Sequence, residues 1–547
     1  MSELIAVVKN KQDIYARSNY FFLLIDNWND FLFRTQYHLY YVTTKKEIFI
    51  GTVKILKQGQ TADGKLRLTE DFVSLSSHYI SVGQSLDYYQ RLLDLPDGKG
   101  KELLESLGDI ASYPTLERKF VKEEGLRTSL FRDFDNPKYF IRLARSLVNG
   151  SHTSLANDDF KFKLTLPGWS RPINFDFSDQ SSNGNRSVIP NNIYVLTGTN
   201  GSGKSTLLSR LARLAHATQK QRRMKELRAL GKISPQGIGF TRIITISYSA
   251  FDSFKLPGVK PTRSGLLDER SQVVRDVQEG GGRFIFCGLR DIAAEYDNLM
   301  SREMLTRSNV DPDGVGSDRN ASTVLKHIEQ IAREFRDTLE RLKERGAPSK
   351  RILNKALNCI KRDPSFTADD YTLSADYLFE CDAINVYLAW STGIKIVMQI
   401  IVSLCANVTE YSLVLIDEPE MHLHPPLLAA LMHAIREILS HENAHAIIST
   451  HSPVVIQETL AKQIYQIRRE GDLSDYHIPE IETFGENVGT LTAQVFGLSS
   501  ENKDFYRVLD VLGREYKNLE KIEALFEPYG LSVQARSYLM SNFTSEV

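Results

Sequence analysis

Residues 20 to 56 alternate short apolar runs with turn-like breaks. FFLLID from Phe21, YHLYYVTT from Tyr37 and EIFIGTVKIL from Glu47 are rich in aromatic and β-branched residues, and the pattern predicts strands. From residue 82 to 150 the spacing turns mainly helical, with loops at PDGKG and FDNP. A Ser/Asn/Asp-rich stretch from Gly150 to Asp158 marks a boundary. Two strands follow, FKFKLTL from Phe160 and PINFDF from Pro172, then a polar loop, SDQSSNGNRS. NNIYVLTG reads as a strand that runs into a glycine-rich loop, and the segment from Thr206 reads as a helix.

Further strands are expected at RIITISY, SLVLID and AHAIIST, and further helices from Ala383 and Leu427. Residues 290 to 363 read as helices. Within them Leu325, Ile328, Ala332, Phe335, Leu339 and Leu342 recur at spacings of three and four. The turn GAPSK at Gly346 to Lys350 makes this an antiparallel helical hairpin. No internal repeat interrupts the alternation of strand and helix, which predicts an α/β fold.

Composition narrows the picture. A chain of 547 residues has length for two to four domains. The formal net charge of −1 excludes a bulk field for nucleic acid, so such a site would have to be a local patch. The four cysteines, Cys287, Cys359, Cys381 and Cys405, are far apart and read as reduced thiols. The most apolar helical stretch, Ile394 to Val408, is too short for a bilayer and contains Lys395, Gln399 and Ser403. No apolar leader follows the N-terminus, and the reading is a soluble cytoplasmic protein without membrane partners.

Candidate chemistry begins at GTNGSGKS. Gly198, Thr199, Asn200, Gly201, Ser202, Gly203, Lys204 and Ser205 satisfy G-x-x-x-x-G-K-[ST]. Strand, glycine loop and helix are the context this motif needs. Its glycines let backbone N–H groups converge on a phosphate, and the helix that continues through Thr206 adds positive potential. Lys204 is expected on the β- and γ-phosphates of ATP and Ser205 on Mg²⁺. A chance glycine turn is the alternative, weakened by the flanking elements.

LVLIDEPE, from Leu413, places carboxylates at the end of a buried strand, where α/β sheets bind ligands. Asp417 is expected to hold Mg²⁺ and Glu418 to act as general base on water. A solvated DE pair is the alternative. In IISTHSP, His451 follows another buried strand and is the third catalytic candidate, set against ordinary surface placement.

These motifs, in this order, resemble the ABC-type ATPases related to the OLD and SMC/RecF groups, which also share the HLHP element at His422 to Pro425. The resemblance implies a D-loop role for His422 or His424, with simple capping of the next helix as the alternative. It also implies an ATP-sandwich dimer or higher oligomer, in which Ser391 and Gly393 of WSTGIK, in the place of a signature loop, touch the nucleotide held by another copy. Ile394 departs from the family's polar residue there. The family's Q-loop glutamine is missing; after RIITISY stand Ser249 and Asp252, either of which could couple the metal to the helical region, with an ordinary loop Asp as the favoured alternative.

On this resemblance the fold is an ABC-type P-loop core, a mixed sheet with flanking helices, carrying an N-terminal β-rich extension and a helical-hairpin insertion. The expected division is an accessory segment 1–150, an N-lobe 156–289, an insertion 290–365, a C-lobe 366–480 and a tail 481–547. FIFCGLRD, IDEPEMHLHP and TFGENVGTLTAQVFG further resemble PtuA, the ATPase family of Septu antiphage systems, especially its retron-associated form. That likeness implies a separate HNH nuclease (PtuB-like) and, in the retron version, a reverse transcriptase with its RNA–DNA product. A DNA-repair or SMC-like ATPase and a nucleotide-dependent assembly scaffold are the alternatives. No nuclease motif appears, so the chain itself is read as an ATPase and not a nuclease. Basic residues in KQRRMKELRALGK and from Lys343 to Arg362 could follow a phosphate backbone or be solvated helix faces.

Overall fold

The computed structural model describes residues 4–15, 20–44, 46–62, 66–149, 160–178, 191–257, 267–295, 297–298, 318–320, 323–363, 373–496 and 504–545. The boundary at Gly150 to Asp158, most of the SDQSSNGNRS loop and part of 290–363 lie outside them.

The N-terminal apolar runs form a five-stranded sheet, β1 Ile5–Val8, β2 Phe21–Ile25, β3 Gln36–Val42, β4 Glu47–Lys57 and β5 Tyr79–Gly83, in that spatial order. Only β1 and β2 pair parallel. Helix α1, Leu86–Leu93, packs on β4 and β5, and helix α2, Pro137–Asn149, packs on α1. Ser85 caps α1 by accepting from the Tyr88 N–H. A second, three-stranded sheet orders β7 Ile173–Asp176, β6 Lys161–Thr165 and β9 Lys232–Ser234. β6 reads exposed–buried in strict alternation, as a one-sided strand must.

The central sheet has seven strands: β8 Ile193–Gly198, β10 Ile243–Ser247, β11 Phe284–Gly288, β12 Leu413–Asp417, β13 His445–Ser449, β14 Ile464–Glu470 and β15 Leu473–His477. Their spatial order is β11-β10-β12-β13-β8-β14-β15, parallel except for the final hairpin. The apolar runs of β8, β12 and β13 are buried on both faces, which is why they read as continuous rather than alternating. With helices on its faces and an antiparallel sheet beside it, this is the α/β class of ABC-type P-loop ATPases.

Helix α3, Lys204–His216, follows the glycine loop. The hairpin is α4, Ile328–Glu344, and α5, Ala347–Ile360. Leu325, counted in the helical period, instead precedes α4, bridges to Arg290 and is exposed. Helix α6, Thr392–Asn407, is buried over most of its length, and α7, Pro425–Glu442, starts on two prolines placed where their missing N–H groups cost nothing. The C-terminal helices α8 Asp504–Tyr516, α9 Leu519–Ala524 and α10 Val533–Ser545 have a small core of their own around Leu509, Ile522 and Leu539.

Two large cores flank the central sheet. One holds the hairpin, α6 and α7. The other is continuous from Ile5, Phe33 and Leu92 through Phe162 and Tyr194 to Leu413, so the N-terminal sheet packs directly on the nucleotide-binding core. All four cysteines are free thiols. Among the described residues no helix is long and apolar enough to cross a membrane.

Candidate nucleotide site

Strand order builds the site. β13 lies between β12 and β8, and its register pairs Asp417 with Ser449 and Ser449 with Leu196. The residues just past the C-terminal ends of these three strands are therefore Glu418, His451 and the loop from Gly198. Segments more than two hundred residues apart in sequence meet at one edge, where open α/β sheets bind ligands.

The loop requires its glycines. Gly198 has φ +145, and a Cβ there would lie 2.3 Å from the Ile467 carbonyl oxygen of the adjacent β14. Gly201 and Gly203 are left-handed, with φ +79 and +101, and added Cβ atoms would point into open space. That space is a cradle rimmed by backbone. Ser202 is buried at its base with an Oγ that has no partner among the described residues. Lys204 is 5% exposed, and its ammonium donates to the Gly198 and Thr199 carbonyls at 3.0 and 3.2 Å. Burial lowers its pKa, opposed by the charges of Glu418, Asp417 and Glu420. Asn200 is exposed and Thr206 half-buried at the first turn of α3.

Ser205 Oγ donates to Asp417 Oδ1 at 3.1 Å. Burial raises the Asp417 carboxyl to about 6, the Ser205 hydrogen bond draws it back, and the charges of Glu418 and Asp252 add to the rise. The neighbouring Ser247 Oγ is buried without a partner among the described residues. Two hard oxygen donors side by side, an under-compensated buried carboxylate and an orphaned hydroxyl suit Mg²⁺. The cradle and the enclosed Lys204 suit the phosphates of a nucleotide.

Glu418 sits with φ +50, an uncommon backbone state for a non-glycine residue, and its N–H donates to the Ser449 carbonyl. His451 Nε2 is 4.0 Å from Glu418 Oε1. Burial lowers the His451 pKa, the Lys204 charge lowers it further and Glu418 opposes, so the imidazole is neutral near pH 7. Glu420 plays a part that motif reading passed over. Its carboxylate accepts from Thr450 Oγ1 at 2.8 Å and from the His451 N–H at 2.6 Å, clamping the loop after β13 to the loop after β12. The third acid of IDEPE was the available signal.

Among the described residues no hydrogen bond joins Ser391 or Gly393 to the glycine loop. Ser391 caps α6, accepting from the Ile394 N–H at 3.5 Å, and stays exposed. Gly393 abuts the loop behind Glu420: its Cβ would lie 3.3 Å from the His422 carbonyl oxygen. His422 has φ +64. His424 stands at the α7 N-cap without a side-chain capping bond, and its Nε2 lies 3.3 Å from Asp363. Asp252, read as an ordinary loop residue, is 8% exposed, accepts from the Phe254 N–H and pairs with the buried Arg290, which also grips Glu295 at 2.7 Å.

Part of the basic stretches is structural. Arg222 donates to the Leu214, Ala215, Gln236 and Ile238 carbonyls and so closes the end of α3. Arg223 pairs with Asp135, Lys343 donates to the Phe379 carbonyl and Lys350 pairs with Asp376. Lys225, Arg228 and Lys232 remain as a solvated face.

Residues 331–457 match the family "AAA domain, putative AbiEii toxin, Type IV TA system". The chain is 29% identical over 123 residues to Septu protein PtuA of Bacillus thuringiensis, covering 21% of this chain and 30% of that protein. The likeness to PtuA is thus confined to a fifth of the chain, and nothing in it singles out the retron-associated form. A solved Smc head bound to the C-winged helix domain of ScpA is 12% identical with a TM-score of 0.26, over 58% of this chain and 96% of that one. Protein ea59 of Escherichia phage lambda is 30% identical over 511 residues, which is 92% of this chain and 89% of that protein. With that agreement along nearly its whole length, the chain belongs to the ea59 family, as an AAA/ABC-type ATPase related to PtuA.

Proposed function

We propose that this protein binds and hydrolyses ATP with Mg²⁺. The observation that carries the reading is the adjacency of β8, β13 and β12, which gathers Lys204, Ser205, Asp417, Glu418 and His451 at one sheet edge. The N–H groups from Gly198 to Thr206 would cradle the phosphates, and Lys204 would exchange its two carbonyl partners for phosphate oxygens. Ser205 and Asp417 would hold the metal, which when bound neutralises charge on the transferred phosphoryl group. Glu418 would take the proton from water, and neutral His451 would orient that water from the opposite side. Glu420 would position His451 through its backbone.

Ser391 is exposed and Gly393 half-buried. They would complete the site of a second copy across an isologous two-fold interface. In this division residues 1–150 and 481–547 are accessory to the N-lobe, insertion and C-lobe. The biological reading is an ATPase subunit of a cytoplasmic antiphage defence complex that gates a separate HNH nuclease. The likeness to PtuA supports the defence setting; a retron reverse transcriptase with its RNA–DNA product is the narrower form of the same reading.

Mixing variants tests the core of it. Lys204→Ala should lose tight ATP binding in calorimetry, and Ser391→Arg should bind ATP without turnover. The mixed dimer keeps one intact composite site, so phosphate release should return on mixing. Unchanged ATP affinity in Lys204→Ala would sink the site assignment, and a Ser391→Arg protein with full turnover would sink the shared site.

A further inference from the structure

The N-terminal sheet presents an apolar knuckle that the nucleotide site does not use. Between β2 and β3, Asp30 and Phe33 exchange both backbone hydrogen bonds, at 3.0 and 2.9 Å, and close a two-residue turn of Phe31 and Leu32. Both central residues are left-handed, with φ +49 and +71. Tight hairpin turns ordinarily put Asn, Asp or Gly there, because a bulky side chain is strained in that state. Here the strained positions carry Phe31, 69% exposed, and Leu32, 61% exposed, and Trp28 just before them is 47% exposed. The turn buries neither of its large side chains, so the strain gains little within the chain and points to a use outside it.

The knuckle is built to hold its shape. Asp30 and Phe33 at its base are each 1% exposed. The Asp30 carboxylate accepts from Trp28 Nε1 at 2.9 Å and from Ser129 Oγ at 3.1 Å, and pairs with buried Lys54 at 2.6 Å and with Arg132. The nearby Asp26 is taken up by the Trp28 N–H, Gln36 and His38. Both acids are thus matched within the chain, and the indole is fixed in orientation by its own N–H. A cation stands over each exposed ring: Lys220 Nζ is 5.1 Å from the Trp28 centroid, and Arg132 Cζ is 4.9 Å from that of Phe31. Lys220 belongs to the short helix Gln219–Arg222, and its side chain makes no hydrogen bond or ion pair among the described residues. Lys225 and Arg228 of the next short helix are exposed and equally unpaired among the described residues, against a single acid there, Glu226.

Fixed aromatic rings with cations beside them and no unmatched carboxylate fit a polyanion that offers flat, unpaired bases. We propose that Trp28, Phe31 and Leu32 form a stacking platform for single-stranded nucleic acid, with Lys220 and Arg132 placed to neutralise the phosphates of the stacked nucleotides. Bases stack on Trp28 and Phe31, and Leu32 wedges between neighbours. A duplex keeps its bases stacked on one another and would leave the aromatic groups idle. A second copy in isologous contact would bring the same cations together. An anionic lipid surface asks for no fixed ring orientation, whereas the indole here is fixed. The platform uses base faces, which DNA and RNA share, and draws on no residue of the nucleotide site.

The test uses the full-length protein and a fluorescein-labelled oligothymidylate of about 16 nucleotides, with an oligouridylate of the same length to tell DNA from RNA. Fluorescence anisotropy at low salt should show binding to at least one, and the tighter of the two identifies the strand. Phe31→Gly and Trp28→Ala should each weaken it by about tenfold, the size of one lost stacking contact. Lys220→Gln should weaken it less and flatten its salt dependence. Phe31 is exposed and glycine accepts positive φ, so Phe31→Gly should melt with its parent, which separates lost binding from lost folding. Trp28 is the exposed one of the three tryptophans, so binding should quench intrinsic fluorescence, and less so in Trp28→Phe. No binding by the parent, or equal binding by Phe31→Gly and Trp28→Ala, would overturn the platform, as would a duplex that binds as tightly as the single strand. Retention on phosphatidylserine vesicles that Phe31→Gly loses, with no oligonucleotide bound, would overturn it in favour of a lipid surface. A concentration-dependent dimer that Phe31→Gly loses, again with no oligonucleotide bound, would overturn it in favour of a second copy.

Discussion

The two edges of the central sheet handle buried charge in opposite ways. At the C-terminal edge, Asp417 has two serines, Ser205 and Ser449, and two further carboxylates, Glu418 and Asp252, around it, and Lys204 donates to backbone carbonyls. At the N-terminal edge, Asp87 lies 3.3 Å from both Arg283 and His216, and Arg91 pairs with Asp276 at 2.8 Å. Gln272 then joins Asp276 to the Phe49 N–H. The first edge holds charge that an external group can complete. The second uses charge to fasten the N-terminal segment to the core. Burial by itself therefore says little about function; what matters is whether the partners come from the chain.

Removing the reactive group at the open edge should have the largest effect. Glu418→Gln keeps the shape but cannot accept a proton, so steady-state phosphate release should fall by about 10²–10⁴-fold while ATP still binds. Normal turnover would move the base elsewhere, with His451 next.

Breaking the closed edge should act on stability instead. Asp87→Asn leaves Arg283 and His216 buried without their counter-charge, at a cost of roughly 3–5 kcal/mol in denaturant unfolding. Burial alone would raise the Asp87 carboxyl, but Arg283 and His216 more than reverse it and hold it well below the usual carboxylate range. Its contribution is thus present above about pH 4 and lost as pH falls further, and the variant should lack that part of the acid limb.

Asp109 sharpens the contrast with the opposite sign. It is fully buried, accepts from the Ala111 N–H at 2.8 Å and the Tyr89 hydroxyl at 3.2 Å, and pairs with no cation among the described residues; burial pushes it up to about 7. The folded state keeps a proton that the unfolded chain releases near pH 4. Stability should therefore be greatest below that value and decline as pH rises to about 7. Asp109→Asn should flatten this slope and gain up to about 3–4 kcal/mol at pH 8. A melting temperature that tracks the parent at every pH would show that Asp109 is not the group responsible.

Much of this was legible in the chain. Strands β2 to β4 of the first sheet, the strand–loop–helix around Gly198 and the continuous runs of β12 and β13 fall where periodicity put them, because local spacing controls local structure; β1 and β5, short runs at Ile5–Val8 and Tyr79–Gly83, were not expected. Arg222 was not legible. Its sequence neighbours suggest a basic surface, yet four carbonyls, two of them beyond residue 235, decide its place. Glu420 was missed, and the buried place of Asp252 was not foreseen, for a similar reason, since the His451 loop and Arg290 give them their contacts.

By itself the sequence determined the kinds of element, the order of the motifs and the residue types able to hold phosphate, metal and water. These follow from side-chain chemistry and short-range spacing. The tertiary structure decided strand order, and with it the meeting of Lys204, Asp417 and His451. It also decided that the N-terminal sheet shares a core with the nucleotide-binding sheet, and which charges are matched within the chain. Such outcomes depend on pairs as distant as Asp87 with Arg283, where burial and partner geometry set the energy and no local pattern records them.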